Sequence, residues 1–172
     1  MLETADRSVT QEQVPISHAL AFSGWLATKT IENERRKASL AGPGDGFAHI
    51  TIVVVDDEPH IAITLSEILE RRNYRTIWFT EPVSALAHMR THKPDLLLTD
   101  VNMPMLDGFD LALCLWRRHP ECPVLIVSAI GNDPTLAQRV AAAGVSIAIE
   151  SKPVSICQLL SRVAEMLSLQ GS

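Results

Sequence analysis

Basic charge, cysteine and long apolar runs are all scarce in this chain, and each scarcity removes a class of function. Lys and Arg number 15 against 20 Asp and Glu, giving a net charge of −5 and a pI near 5.6. A nucleic-acid binder normally presents a basic face, so no nucleic-acid partner is expected. Neither the stretch up to residue 49 nor the remainder carries a basic excess. The cysteines, Cys114, Cys122 and Cys157, are odd in number and form no CxxC or Cys/His pairing suited to zinc, which reads as reduced thiols of the cytosol. No apolar run approaches the roughly 18 residues of a membrane span, and Glu3 and Asp6 precede any apolar stretch. A soluble, cytoplasmic protein without a membrane partner is therefore expected. Of the six histidines, only His88 and His92 have metal-ligand spacing, and their place ahead of Lys93-Pro94 reads as an exposed helix end.

What is present is enough apolar residue, 47 % of 172 with a mean hydropathy of +0.13, to build a real core. The most informative residues close its apolar runs. Asp56 and Asp57 end Ile52-Val53-Val54-Val55, and Asp100 ends Leu96-Leu97-Leu98-Thr99. Such runs read as buried strands that deliver charge to one edge of a sheet. Clustered carboxylates repel, so the site must hold a proton, a cation or a lysine. Val124-Leu125-Ile126-Val127 ends in Ser128, and Lys152 follows the β-rich stretch from Val145 to Ile149. Acidic pair, Asp, Ser and Lys together suit phosphoryl chemistry. Asp56, Asp57 and Asp100 would hold a divalent cation, one carboxylate would be the nucleophile, and hydroxyl and ammonium would meet phosphoryl oxygens.

Gly42-Pro43-Gly44-Asp45-Gly46 marks a boundary, because neither helix nor strand survives that density of Gly and Pro. It divides residues 1–49, an extension with its linker, from a body spanning 50–170. The extension reads either as a disordered leader or as one docking helix anchored by Phe22 and Trp25. In the body, strands at 51–55, 74–79, 95–99, 123–128 and 145–149 alternate with helices. Thr80 is the expected cap of the second of these, Phe109 to Arg118 the expected third, Asp133-Pro134 the start and Gly144 the end of the fourth, and Ile156 to Leu167 the stripe of the last. This alternation implies an α/β fold with a parallel sheet covered on both faces, whose ligands bind beyond the strands' carboxyl ends.

The ordered set Val53-Val54-Val55-Asp56-Asp57-Glu58-Pro59, Leu98-Thr99-Asp100-Val101-Asn102-Met103-Pro104-Met105-Leu106-Asp107-Gly108, Ser128-Ala129 and Lys152-Pro153 resembles the receiver domain of bacterial two-component response regulators over residues 50–170. The resemblance implies a flavodoxin-like, doubly wound, five-stranded sheet of order 2-1-3-4-5. It implies that Asp100 is phosphorylated by a sensor histidine kinase or histidine phosphotransfer protein. Mg2+ would be held by Asp57 directly, Asp56 partly through water, Asp100, and the backbone carbonyl of Asn102. Ser128, Ala129 and Lys152 would meet the phosphoryl group, and output would pass to a downstream protein. A homodimer would use the helix from Pro134, the fifth strand and the last helix.

One departure is functional: three residues before Lys152, where the family usually carries Tyr or Phe, stands Ile149. It favours a rival reading, a docking module or phosphate sink without a switch. An aspartate-nucleophile phosphatase is a further rival, but such enzymes carry the nucleophile strand first and the acidic pair last, the reverse of this order. The remaining candidates have plainer readings: His60 as solvent-facing, Trp116 as partly core, Met103 and Met105 as loop packing, Glu150 as solvated, and Arg117-Arg118 as an exposed helix end.

Overall fold

The structure, a computed structural model, describes residues 16–39, 50–129 and 134–169, with side chains in the first segment described over 24–37. The Gly42–Gly46 boundary, the cap at Asp133 and the side chain of Phe22 lie outside the described residues. Among the described residues the element order is α1 (Ile16–Ser39), β1 (Thr51–Val55), α2 (Pro59–Glu70), β2 (Arg75–Phe79), α3 (Pro82–Met89), β3 (Leu96–Asp100), α4 (Gly108–Trp116), β4 (Val124–Ser128), α5 (Pro134–Ala143), β5 (Ile147–Ser151) and α6 (Ile156–Ser168).

The strands form one parallel sheet of order β2-β1-β3-β4-β5. Each central strand is an unbroken apolar run because both of its faces are covered. Side chains alternate between two cores: Val53 and Val55 join Leu97, Phe109 and Leu111 on one side, while Ile52 and Val54 join Leu69, Leu98 and Val163 on the other. Full burial of each aliphatic side chain contributes about 1.5–3 kcal/mol, so the strands and the helix faces packed on them share the hydrophobic stabilisation.

Several boundaries differ from the expected ones, each for a local reason. β5 is Ile147–Ser151, not 145–149, because Gly144, with φ +65, ends α5 and leaves Val145 and Ser146 to cross to the sheet, where Ile147 pairs with Val124. Val145 is buried, which explains its strand-like identity without strand geometry. The residue capping α3 is Glu81, not Thr80, since Pro82 fixes the first helical position. α4 begins at Gly108 and is capped by Asp107, whose Oδ1 accepts the N–H of Asp110 at 2.7 Å.

Helix α1 lies over the exposed edge of β2. Asn33 does there what a neighbouring strand would do: its Nδ2 donates to the Trp78 carbonyl at 2.7 Å, and its Oδ1 accepts the Trp78 N–H at 3.0 Å. Around this pair Lys29 bonds Glu67 at 2.9 Å, Arg36 bonds Glu70, and the Lys37 ammonium sits 4.2 Å from the Phe79 ring centroid. Trp25 and Leu26 are half-buried against the core beneath.

Candidate functional site

Parallel pairing brings the carboxyl ends of β1, β3, β4 and β5 to one edge, where the charged residues collect. Asp56, just past β1, is 2 % exposed, and Asp100, the last residue of β3, is 7 % exposed. The Lys152 ammonium, just past β5, bridges them, at 3.1 Å from Asp56 Oδ2 and 2.8 Å from Asp100 Oδ1. Each carboxylate has its other oxygen held by backbone: Asp56 Oδ1 accepts the Glu58 N–H at 3.0 Å, and Asp100 Oδ2 accepts the Asn102 N–H at 2.8 Å. Lys152 is itself fixed, its N–H donating to the Ser128 carbonyl at 2.7 Å. Ser128 is buried at the end of β4 and Ala129 beside it is exposed.

Burial is the main influence on Asp56 and raises its carboxyl above the ordinary range, against the lowering effect of the Glu58 N–H and Lys152. Burial would lower the Lys152 ammonium, but its hydrogen bond to Asp100 and the charge of Asp56 outweigh that, so it is raised and stays charged. One ammonium between two buried carboxylates leaves a negative pocket.

The three carboxylates expected to cluster are not gathered equally. Asp57 is exposed, and among the described residues no three His, Cys, Asp or Glu side chains stand close enough to hold a metal. The physical reason is repulsion: a third carboxylate beside Asp56 and Asp100 would add charge that Lys152 cannot balance. By donor type the set still fits a hard divalent cation such as Mg2+, since Asp56, Asp57, Asp100 and the Asn102 carbonyl are all oxygen donors.

Other candidates divide. His60 is exposed beside Glu58, Trp116 is half-buried, and Arg117 and Arg118 are exposed, as expected. Met103 is buried as loop packing, but Met105 is 94 % exposed with φ +69 and packs against nothing comparable. Glu150 is not solvated: its side chain pairs with Arg162 at 3.2 Å and accepts from Gln158 at 2.7 Å. His88 is not exposed either. It stacks on His92 with ring centroids 4.6 Å apart and leans on Phe79, and burial first, then His92, pushes its imidazole down to about 4. Ile149 lies half-buried in β5 opposite Ile126.

Two features of the site went unread in the sequence. A Cβ on Gly108 would lie 1.8 Å from the Asp100 carbonyl oxygen, so only glycine lets α4 start against the end of β3. Arg139 on α5 reaches across to Asp107 and Asp110 at 2.8 and 2.9 Å. The Gly following Asp107 is a signal that could have found the first; nothing local marks the second.

Residues 52–164 match the response regulator receiver domain family, and the chain belongs to it. Among curated relatives, it is 41 % identical over 83 residues to the response regulator GtcR of Aneurinibacillus migulanus, covering 48 % of this chain and 34 % of that one. It is 30 % identical over 125 residues to the cyclic di-GMP phosphodiesterase response regulator RpfG of Xanthomonas campestris, covering 70 % of this chain and 32 % of that one. The chain thus spans about a third of the length of these two relatives. Among solved structures, the signal receiver domain of a Syntrophus aciditrophicus signal transduction histidine kinase superposes with TM-score 0.62 at 31 % identity, over 69 % of this chain and 89 % of that one. A CheY-like receiver domain protein of Methanospirillum hungatei, at TM-score 0.67 and 23 % identity over 72 % of this chain and 98 % of that one, shares the fold. Among the described residues no helix is long and apolar enough to cross a membrane.

Proposed function

We propose that the chain is a phospho-acceptor signalling protein of the bacterial cytoplasm in which Asp100 receives a phosphoryl group from a sensor histidine kinase or histidine phosphotransfer protein. The observation that carries this reading is the Lys152 ammonium held between buried Asp56 and Asp100. In the transfer, an Asp100 carboxylate oxygen forms a bond to phosphorus as the phosphohistidine N–P bond breaks. The imidazole leaves with a proton from solvent, and an acyl phosphate remains. Lys152 meets the added charge, and the Ser128 hydroxyl and Ala129 N–H complete the cradle. Asp56, Asp57, Asp100 and the Asn102 carbonyl would hold Mg2+, which when bound supplies the charge neutralisation that one lysine cannot.

Residues 50–170 form the signalling unit in this reading, and output is protein binding, with α5, β5 and α6 as the surface for a downstream protein or a second copy. The chain acts as acceptor rather than as an enzyme on a separate substrate. Incubation with acetyl phosphate and Mg2+ should add one phosphoryl group by mass, and Asp100→Asn should add none. Undiminished labelling of that variant would overturn the assignment. Ile149 favours the second reading, a docking module or phosphate sink: an aliphatic, β-branched side chain has no polar tip to move between core and solvent. Under that reading phosphorylation leaves the amides of α5, β5 and α6 unshifted.

A further inference from the structure

The chain places aliphatic Ile149 where the family usually carries an aromatic, which raises the question of a second link from Asp100 to α5. One exists. Gly108 packs so closely on the Asp100 carbonyl that no Cβ fits between them, and its own N–H donates to the Val101 carbonyl at 3.0 Å. The preceding residue, Asp107, caps α4 with one carboxylate oxygen and accepts Arg139 Nη1 with the other. Arg139 Nη2 bonds Asp110 one turn further on, and the guanidinium lies 4.3 Å from the centroid of buried Phe109.

We propose that Arg139 is a positioning residue for the phospho-acceptor: by clamping Asp107 and Asp110 it holds the segment Val101–Gly108 against Asp100 and ties α5 to that segment. The planar guanidinium suits the task because it reaches two carboxylates in fixed directions while its face rests on an aromatic ring. Asp100 bonds the start of the segment through the Asn102 N–H and abuts its end at Gly108. A phosphoryl group that shifts Asp100 therefore pushes on the clamped end of α4, and α5 follows through Arg139. This route does not pass through the residues directly joining β4 to α5. Two exposed ion pairs alone would be worth little. Here the cap, the steric contact and the ring stacking make them one unit.

The proposal rests on Asp100 being the acceptor, and the two are separable: acetyl phosphate labelling of the wild-type chain, lost in Asp100→Asn, tests the acceptor alone. With that in hand, Arg139→Gln in the full chain should slow labelling by acetyl phosphate about tenfold, the scale of a small misplacement of the reacting group. Amide shifts induced by beryllofluoride and Mg2+ should persist at 100–108 but disappear from α5. Arg139→Lys, which keeps the charge but cannot bridge both carboxylates, should recover part of the rate. Should Arg139→Gln not fold, Asp110→Asn, which cuts one arm of the clamp at the surface, should reduce the α5 shifts. Wild-type labelling and wild-type α5 shifts in the folded variant would overturn the proposal.

Discussion

Replacing Lys152 by Met removes the charge at the centre of the site while keeping most of its volume, and the consequence follows from burial. Asp56 and Asp100 would face each other nearly shielded from water, with no ammonium 3.1 and 2.8 Å away to balance them. Breaking a buried ion pair costs about 3–5 kcal/mol, and the 25 % exposure of the Lys152 side chain brings the expected loss at pH 7 to about 2–3 kcal/mol. The pH dependence identifies the cause. Asp56 already has a raised folded-state carboxyl, and without Lys152 it rises further. A carboxyl raised on folding contributes stability below its unfolded value, lost as pH rises through its folded value. The deficit of Lys152→Met should therefore be largest at pH 7–8 and shrink towards pH 5. Urea unfolding of variant and wild type, followed by tryptophan fluorescence at each pH, measures that difference. Because the carboxylates remain, Mg2+ should still bind the variant. A deficit below about 0.5 kcal/mol, or one independent of pH, would show that the three groups are not coupled as the geometry requires.

Other perturbations have equally definite outcomes. Asn33→Leu should cost about 2–4 kcal/mol in urea unfolding, since it leaves the Trp78 N–H and carbonyl unpaired at a covered edge; a loss under 1 kcal/mol would mean α1 is not bonded there. Gly108→Ala should lose about 2 kcal/mol or more and label poorly with acetyl phosphate, because its Cβ would sit 1.8 Å from the Asp100 carbonyl oxygen; wild-type labelling would contradict the close approach. His88, lowered from 6.5 to about 4, stays neutral in the folded protein, so its contribution is complete above pH 6.5 and is lost as pH falls towards 4. After screening this amounts to about 1–2 kcal/mol, and His88→Gln should flatten that part of the stability curve. Asp57→Ala should abolish Mg2+ binding and labelling together, measured by titration; unchanged affinity would remove Asp57 from the ligand set.

The sheet was legible because its central strands β1, β3 and β4 are buried on both faces, so each announces itself as an apolar run closed by a polar residue. Asp56 and Asp100 were legible for the same reason, as the punctuation of those runs, and Lys152 through its place before Pro153 after the fifth β-rich stretch. What escaped depends on contacts between segments remote in sequence. Asn33 looks like any polar residue on a charged helix until Trp78 is placed beside it. Glu150 and His88 read as solvent-facing from local pattern, yet Arg162 and the ring of Phe79 draw them in. Strand β5 slipped by two residues because Val145 has the composition of a strand and the geometry of a crossing. Arg139 carries no motif at all, and its role exists only once α4 and α5 stand side by side.

Charge accounts for why the site is arranged with Asp57 outside and Lys152 inside. Burying a third carboxylate would leave the pocket short of more than one positive charge, whereas an exposed Asp57 is solvated. The arrangement also bears on phosphorylation. Each Asp100 oxygen already has a donor, Lys152 on one and Asn102 on the other, so the carboxylate is held in direction before any donor arrives. Converting it to an acyl phosphate adds charge at the one point where Lys152, Gly108 and the start of α4 meet. Gly108 lies so close to that point that a Cβ there would clash with the Asp100 carbonyl oxygen. In the proposed route the added charge is felt at the start of α4, where Arg139 holds Asp107 and Asp110, rather than at the aliphatic side chain of Ile149.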